Sequence, residues 1–68
     1  MNDRQIECFL KLVETKSFSK TAESLFITQP NVSHHIKTIE KDLNVELIKR
    51  STTSFELTKA GEAFISIV

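Results

Sequence analysis

Residues 17–43, SFSKTAESLFITQPNVSHHIKTIEKDL, decide the fold. Ser17 or Ser19 can cap a short helix whose Ala22 and Leu25 face inward, with Phe18 ahead of it as a core anchor. That helix stops near Phe26 and Ile27. Thr28 can then cap a longer helix, with Pro30 in its first turn, where a missing N–H costs nothing. Val32, Ile36, Ile39 and Leu43 follow at spacings of four, three and four, a narrow stripe to bury. Opposite them lie Gln29, Asn31, Ser33, His34, Lys37, Thr38 and Lys41, a face without acids or large hydrophobes. Two helices joined this tightly, with a small Ala22 allowing close approach, form a helix-turn-helix candidate.

Upstream, Asn2 and Gln5 have the spacing of a capping box, and a helix is predicted from Asp3 to Thr15. Ile6, Phe9, Leu10 and Val13 fall at i, i+3, i+4 and i+7, with Leu12 widening that face. Downstream, Asn44 suits a left-handed end to the long helix. Leu47 and Ile48, then Phe55 and Leu57 at period two, predict two short strands joined through Ser51 to Ser54. So short a hairpin must pack on the helices to persist. Thr58 caps a fourth helix with Ala60, Ala63, Phe64 and Ile67 along one side. Ile65, Ile67 and Val68 exceed what one small domain can cover, so this helix is expected to continue or to pair with a second copy.

The 68 residues make one domain, 40% hydrophobic and 26% charged, with one Gly and one Pro. A domain of this size buries only roughly 60% of the surface its unfolded chain exposes, so its core is thin. The single Cys8 cannot close an internal disulfide and sits in a helical apolar pattern, the place of a structural thiol. Nothing resembles a signal peptide or a membrane span, and a reducing cytoplasm is the expected home.

Nine basic and nine acidic residues sum to zero, which gives no net attraction to phosphate. The distribution is uneven. No acid occurs from Thr15 to Ala22, from Ser24 to Ile39, or from Leu47 to Phe55. Those windows hold Lys16, Lys20, Lys37, Lys49 and Arg50, with His34 and His35. If they share a surface, that surface is basic on a neutral molecule.

Enzyme chemistry lacks its parts. His34 and His35 are adjacent, so on a helix they point about 100° apart and cannot chelate one metal as an i, i+4 pair would. There is no glycine-rich phosphate loop, and no acid in the third helix's polar N-terminal turns to orient either histidine. No metal or cofactor is expected. A winged helix that docks a partner protein is the other reading, but its face would carry exposed aromatics or Leu, which Gln29, Ser33, His34 and Lys37 do not supply.

The ordered set of features resembles the N-terminal domain of LysR-type transcriptional regulators. Ser17-Phe18 followed by Ala22 and Leu25, then Thr28-Gln29-Pro30-Asn31-Val32-Ser33, is similar to the family's S/T-Q-P-x-x-S pattern. Ile36, Ile39-Glu40, Leu43, Arg50 and Leu57-Thr58-x-Ala60-Gly61 continue it. The resemblance implies a mainly α fold with a small β-hairpin, a winged helix-turn-helix over residues 1–58. Residues 59–68 would then begin a linker helix that dimerises. It implies sequence-specific binding of double-stranded DNA, and a small-molecule inducer held by an effector domain absent from these residues. Three departures stand out. His34 takes a position often held by Arg, Ser51-Thr52-Thr53-Ser54 lacks the Gly-rich basic wing tip, and Phe26 is bulky for its turn.

The residues suggest a division of labour. Gln29 offers the paired donor and acceptor that match adenine N6 and N7, and Pro30 suits a thymine methyl group. Asn31, Ser33 and His34 share that face, and a titrating His34 would make affinity vary between about pH 5.5 and 7.5. Ser17, Thr28 and Lys37 are placed for phosphates, beside the positive end of the third helix. By resemblance, Arg50, Thr52 and Thr53 add contacts from the wing.

Overall fold

Asn2 accepts a hydrogen bond from Gln5 N at 2.9 Å while its own N–H donates to Gln5 Oε1 at 3.1 Å, and this reciprocal cap starts the first helix. In the computed structural model, which describes residues 1–49 and 55–67, the helices are α1 (Asp3–Thr15), α2 (Phe18–Leu25), α3 (Gln29–Leu43) and α4 (Lys59–Ile67). The predicted limits of α1 and α3 hold, because caps and apolar spacing agree at both ends. No helix among the described residues is long and apolar enough to cross a membrane.

The first three helices pack pairwise around two linked clusters. The larger joins Phe9, Leu12, Ile36, Ile39, Leu47, Ile48 and Phe64; the smaller joins Cys8, Ala22 and Val32 beneath the helix-turn-helix. Full burial of a side chain such as Ile36 or Ile39 stabilises by about 1.5–3 kcal/mol. Burial also lifts the Cys8 thiol pKa, partly opposed by Arg4 and reinforced by Glu7, as a structural thiol requires.

Two helix faces turn out differently from the sequence pattern. On α1 the buried residues are Cys8, Phe9 and Leu12, whereas Leu10 is 40% exposed. The helix must meet α2 and α3 together, and the small Cys8 admits Val32 more closely than a Leu would. On α4 the buried residues are Gly61 and Phe64, while Ala63 and Ile67 face solvent. The Phe64 ring stands edge-on to Phe9, centroids 5.4 Å apart, which rotates α4 onto the core through this pair. Leu43 lies at the exposed margin of the α3 stripe.

The two predicted strands are absent as strands among the described residues. A single antiparallel bridge pairs Ile48 with Leu57, flanked by Lys49 N donating to Glu56 O at 2.9 Å and Thr58 N donating to Leu47 O at 3.0 Å. Leu47 N, which a longer ladder would direct to Thr58 O, donates instead to Glu40 Oε2 at 2.7 Å, and Ile48 N, on the side away from Leu57, donates to the same oxygen at 3.3 Å, tying this segment to α3. The predicted connection, Ser51 to Ser54, lies outside the described residues.

Three helices end on non-glycine residues in the left-handed region: Lys16 (φ 57°), Phe26 (φ 58°) and Asn44 (φ 57°). Only Asn44 has the side chain that commonly accepts it. At α4, Thr58 accepts from Gly61 N at 3.0 Å and donates to Glu46 O. A Cβ on Gly61 would lie 2.3 Å from the Leu47 carbonyl oxygen, so this close approach requires glycine.

Candidate nucleic-acid interface

Ser17 ends the link between α1 and α2, and hydroxyl groups fix it there. Thr21, fully buried, donates to Ser17 O at 2.8 Å, and its Oγ1 lies 2.8 Å from that of Thr15. Ser17 Oγ in turn accepts from Lys20 N at 3.1 Å and caps α2. At α3, Thr28 Oγ1 accepts from Asn31 N at 3.3 Å. Each cap uses its hydroxyl oxygen as acceptor and retains one O–H donor.

The turn between these helices is closed by backbone bonds, Ile27 N to Ala22 O at 3.0 Å and Phe26 N to Glu23 O at 3.3 Å. Arg4 straps it from α1, donating to Leu25 O at 3.3 Å and pairing with Glu7 at 3.2 Å. Phe26 itself is 94% exposed, with its backbone held and its ring in solvent.

This bracing brings the starts of α2 and α3 to one open depression of about 440 Å³, lined by Phe18, Gln29, Pro30 and Ser33. Phe18 and Gln29 are the first residues of their helices, so two positive helix ends meet there. Gln29, Pro30, Asn31, His34 and Lys37 are exposed, and Ser33 is half-buried. None of the lining residues is acidic. The first two acid-free windows therefore meet, through Phe18 and the tip of α3.

The third window joins less cleanly. Lys16 and Lys49 share a second depression with Phe55 and Leu57, but Glu56 and Glu62 line it too, and Lys49 lies 4.0 Å from Glu56. Among the described residues Lys16, Lys20 and Lys37 form no ion pair, so their charges are uncommitted. The outer side of α1 has a separate depression bearing Asp3, Glu7 and Glu14 together with Lys11, which pairs with Glu14 at 3.2 Å as Arg4 does with Glu7. Arg50, Thr52 and Thr53, expected as wing contacts, lie outside the described residues.

His34 is exposed on the α3 face; its neighbour His35 is turned inward, the rings 6.1 Å apart. His35 Nδ1 is buried without a hydrogen-bond partner. Its pKa is lowered, first by burial and then by the charges of His34 and Arg4. Among the described residues no three of His, Cys, Asp or Glu cluster as a metal site. Sequence reasoning missed Thr15, Thr21 and Glu40 as supports, since their bonds to backbone across a junction leave no periodic trace. It also took Phe18 for core alone.

The pattern described as "Bacterial regulatory helix-turn-helix protein, lysR family" matches residues 4–62. The chain is 44% identical over 57 residues to the HTH-type transcriptional regulator CysL of Bacillus subtilis (strain 168), covering 84% of this chain and 19% of that protein. A LysR-family transcriptional regulator from Eggerthella lenta DSM 2243 superposes with a TM-score of 0.92 at 37% identity, over 98% of this chain and 96% of that one. Vibrio fischeri DarR, solved in complex with DNA, superposes with a TM-score of 0.92 at 34% identity, over 98% of this chain and 23% of that one. The chain spans about a fifth of the length of the curated relatives it matches.

Proposed function

The chain belongs to the lysR family of bacterial regulatory helix-turn-helix proteins and is a DNA-binding domain of a transcriptional regulator, and from that premise we propose how it reads DNA. The tip of α3 enters the major groove of double-stranded DNA. Gln29 takes an adenine edge, Pro30, Asn31, Ser33 and His34 complete the base-facing surface, and Ser17, Thr28 and Lys37 hold phosphates. The observation that carries this is the meeting of two helix starts at one acid-free depression with Gln29 and Ser33 in its lining. Backbone dipoles and two hydroxyls supply anion affinity, and the carboxamide supplies selectivity.

The segment from Leu47 to Leu57 is the wing, with Arg50, Thr52 and Thr53 as its DNA contacts. Residues 1–58 carry the DNA-binding work, and residues 59–68 begin a linker helix. The exposed Ala63 and Ile67 on α4 suit pairing with a second copy, and so a homodimer on two half-sites. The whole regulator is a cytoplasmic protein that answers a small-molecule inducer held outside these residues, which themselves take no cofactor.

Selection of bound sequences from a random pool gives the binding sequence. On it, Gln29→Ala is expected to lose about 1–3 kcal/mol at one base position and to relax preference there. Equal loss on selected and random duplexes would contradict a base-reading Gln29.

A further inference from the structure

Thr21 is the one buried polar residue among the described residues, and it sits where α1 hands over to α2. Lys16, between the two helices, is left-handed with φ 57°, a conformation that strains a residue bearing a Cβ. The next residue is held from both sides. Ser17 N donates to Thr15 Oγ1 at 3.2 Å, and Ser17 O accepts from Thr21 N at 3.0 Å and from Thr21 Oγ1 at 2.8 Å. Thr15 Oγ1 lies 3.0 Å from the same carbonyl oxygen and 2.8 Å from Thr21 Oγ1. The two hydroxyl protons can therefore fill one bond to that carbonyl and one between the hydroxyls. Ser17 Oγ accepts from Lys20 N at 3.1 Å. Every polar group of Ser17 is thus engaged among the described residues except its hydroxyl proton.

We infer that the Thr15–Thr21 hydroxyl pair is a positioning device: it fixes the Ser17 peptide so that the Ser17 hydroxyl can give its proton to a DNA phosphate, and Thr21 sets affinity for the duplex without touching it. The inference rests on the phosphate contact proposed above for Ser17. A helical threonine commonly bonds the carbonyl four residues back in its own helix. Here that carbonyl belongs to the cap, and the hydroxyl also reaches the last residue of α1, so the bonding crosses a junction. Burial gives the arrangement its stiffness, because a hydroxyl shut away from water cannot exchange a lost partner for solvent. The fixed Ser17 hydroxyl already accepts once and has a proton to give, and an anionic phosphate oxygen takes such a proton more strongly than a neutral acceptor does. With Thr21 lacking its hydroxyl, Thr15 alone ties the Ser17 carbonyl from α1, and the strained Lys16 is held by less.

The test replaces the Thr21 hydroxyl by a methyl group in Thr21→Val and removes the Ser17 hydroxyl in Ser17→Gly, glycine being tolerated at a helix cap. Both variants, their combination and Thr21→Ser are titrated by fluorescence anisotropy against a selected duplex and a random one. The temperature is one at which melting curves show every variant folded. Thr21→Val is expected to weaken binding to both duplexes about fivefold, the scale of one hydrogen bond. Its salt slope should match that of the unaltered chain, because no cation has left the interface. Thr21→Ser should restore most of the affinity, and the double variant should bind no more weakly than Ser17→Gly alone. If Thr21→Val does not melt cooperatively, the half-buried Thr15→Val takes its place with the same expectation. Unaltered affinity in a folded Thr21→Val overturns the positioning role, and so does a loss confined to the selected duplex. Losses that add in the double variant overturn it too, since Thr21 would then act elsewhere than through Ser17. Unaltered affinity in Ser17→Gly instead overturns the phosphate contact on which the inference rests.

Discussion

Phe26 accepts two disadvantages at once: a left-handed backbone and a ring 94% exposed to water. Left-handed backbone costs a non-glycine residue about 1–2 kcal/mol, and the ring gains nothing from burial in return. Phe26→Asn, which accepts that conformation more readily, is expected to raise stability by about 1 kcal/mol in urea melts. No gain would mean that the ring has contacts in solution that its exposure does not suggest. His35 makes a second prediction at this scale. Its pKa is lowered below 6.5 by burial, with His34 and Arg4 adding repulsion to the charged form. A lowered histidine pKa means that the unfolded chain takes up the proton first as pH falls, so stability is full above the ordinary histidine range and declines below it. The melting temperature should therefore drop between about pH 7.5 and about pH 5.5, and the drop should be smaller in His35→Leu. An equal drop in the variant would assign it to other groups.

Among the elements, α1 and α3 were legible to the residue, because Asn2, Gln5, Thr28 and Pro30 are start signals and the apolar spacing between caps is helical. The rotation of α1 was not. Periodicity placed Leu10 inward, but packing against two neighbours selected Cys8 and Leu12. The wing was half legible. Ile48 and Leu57, each assigned to a short strand from its apolar pattern, form an antiparallel bridge, but Leu47 N donates to Glu40 rather than across to Thr58 O. For α4 the sequence offers Thr58 and Phe64, yet gives no sign that Gly61 lies against the Leu47 carbonyl. Gly61→Ala is expected to destabilise by about 3 kcal/mol, despite alanine's better helix propensity, because the clash is with backbone that cannot rotate aside. A neutral or stabilising outcome in thermal melts would mean that α4 can shift away from the wing.

For the whole molecule, the candidate site was legible as a set of residue types and illegible as a surface. Gln29, Pro30 and Ser33 were named from one helix; that Phe18 joins them depends on how α2 crosses α3, which no local pattern states. The zero formal charge likewise misleads, because Lys16, Lys20 and Lys37 form no ion pair among the described residues. If these three, Lys49 and Arg50 each neutralise one phosphate, log K should fall against log salt with a slope of about −4 to −5 per subunit. Anisotropy titrations across a salt series check this, and a slope near zero would remove phosphate from the interface. The sorting of charge between an acid-free tip and an acid-bearing outer side of α1 has a kinetic consequence. A neutral body feels little pull toward a distant duplex, but inside one screening length, roughly 8 Å at physiological ionic strength, it feels a torque. If the tip of α3 meets the duplex as proposed, collisions made wrong side first would be released and those made tip first would persist, so the sorted charges would select orientation during the encounter rather than hasten its arrival.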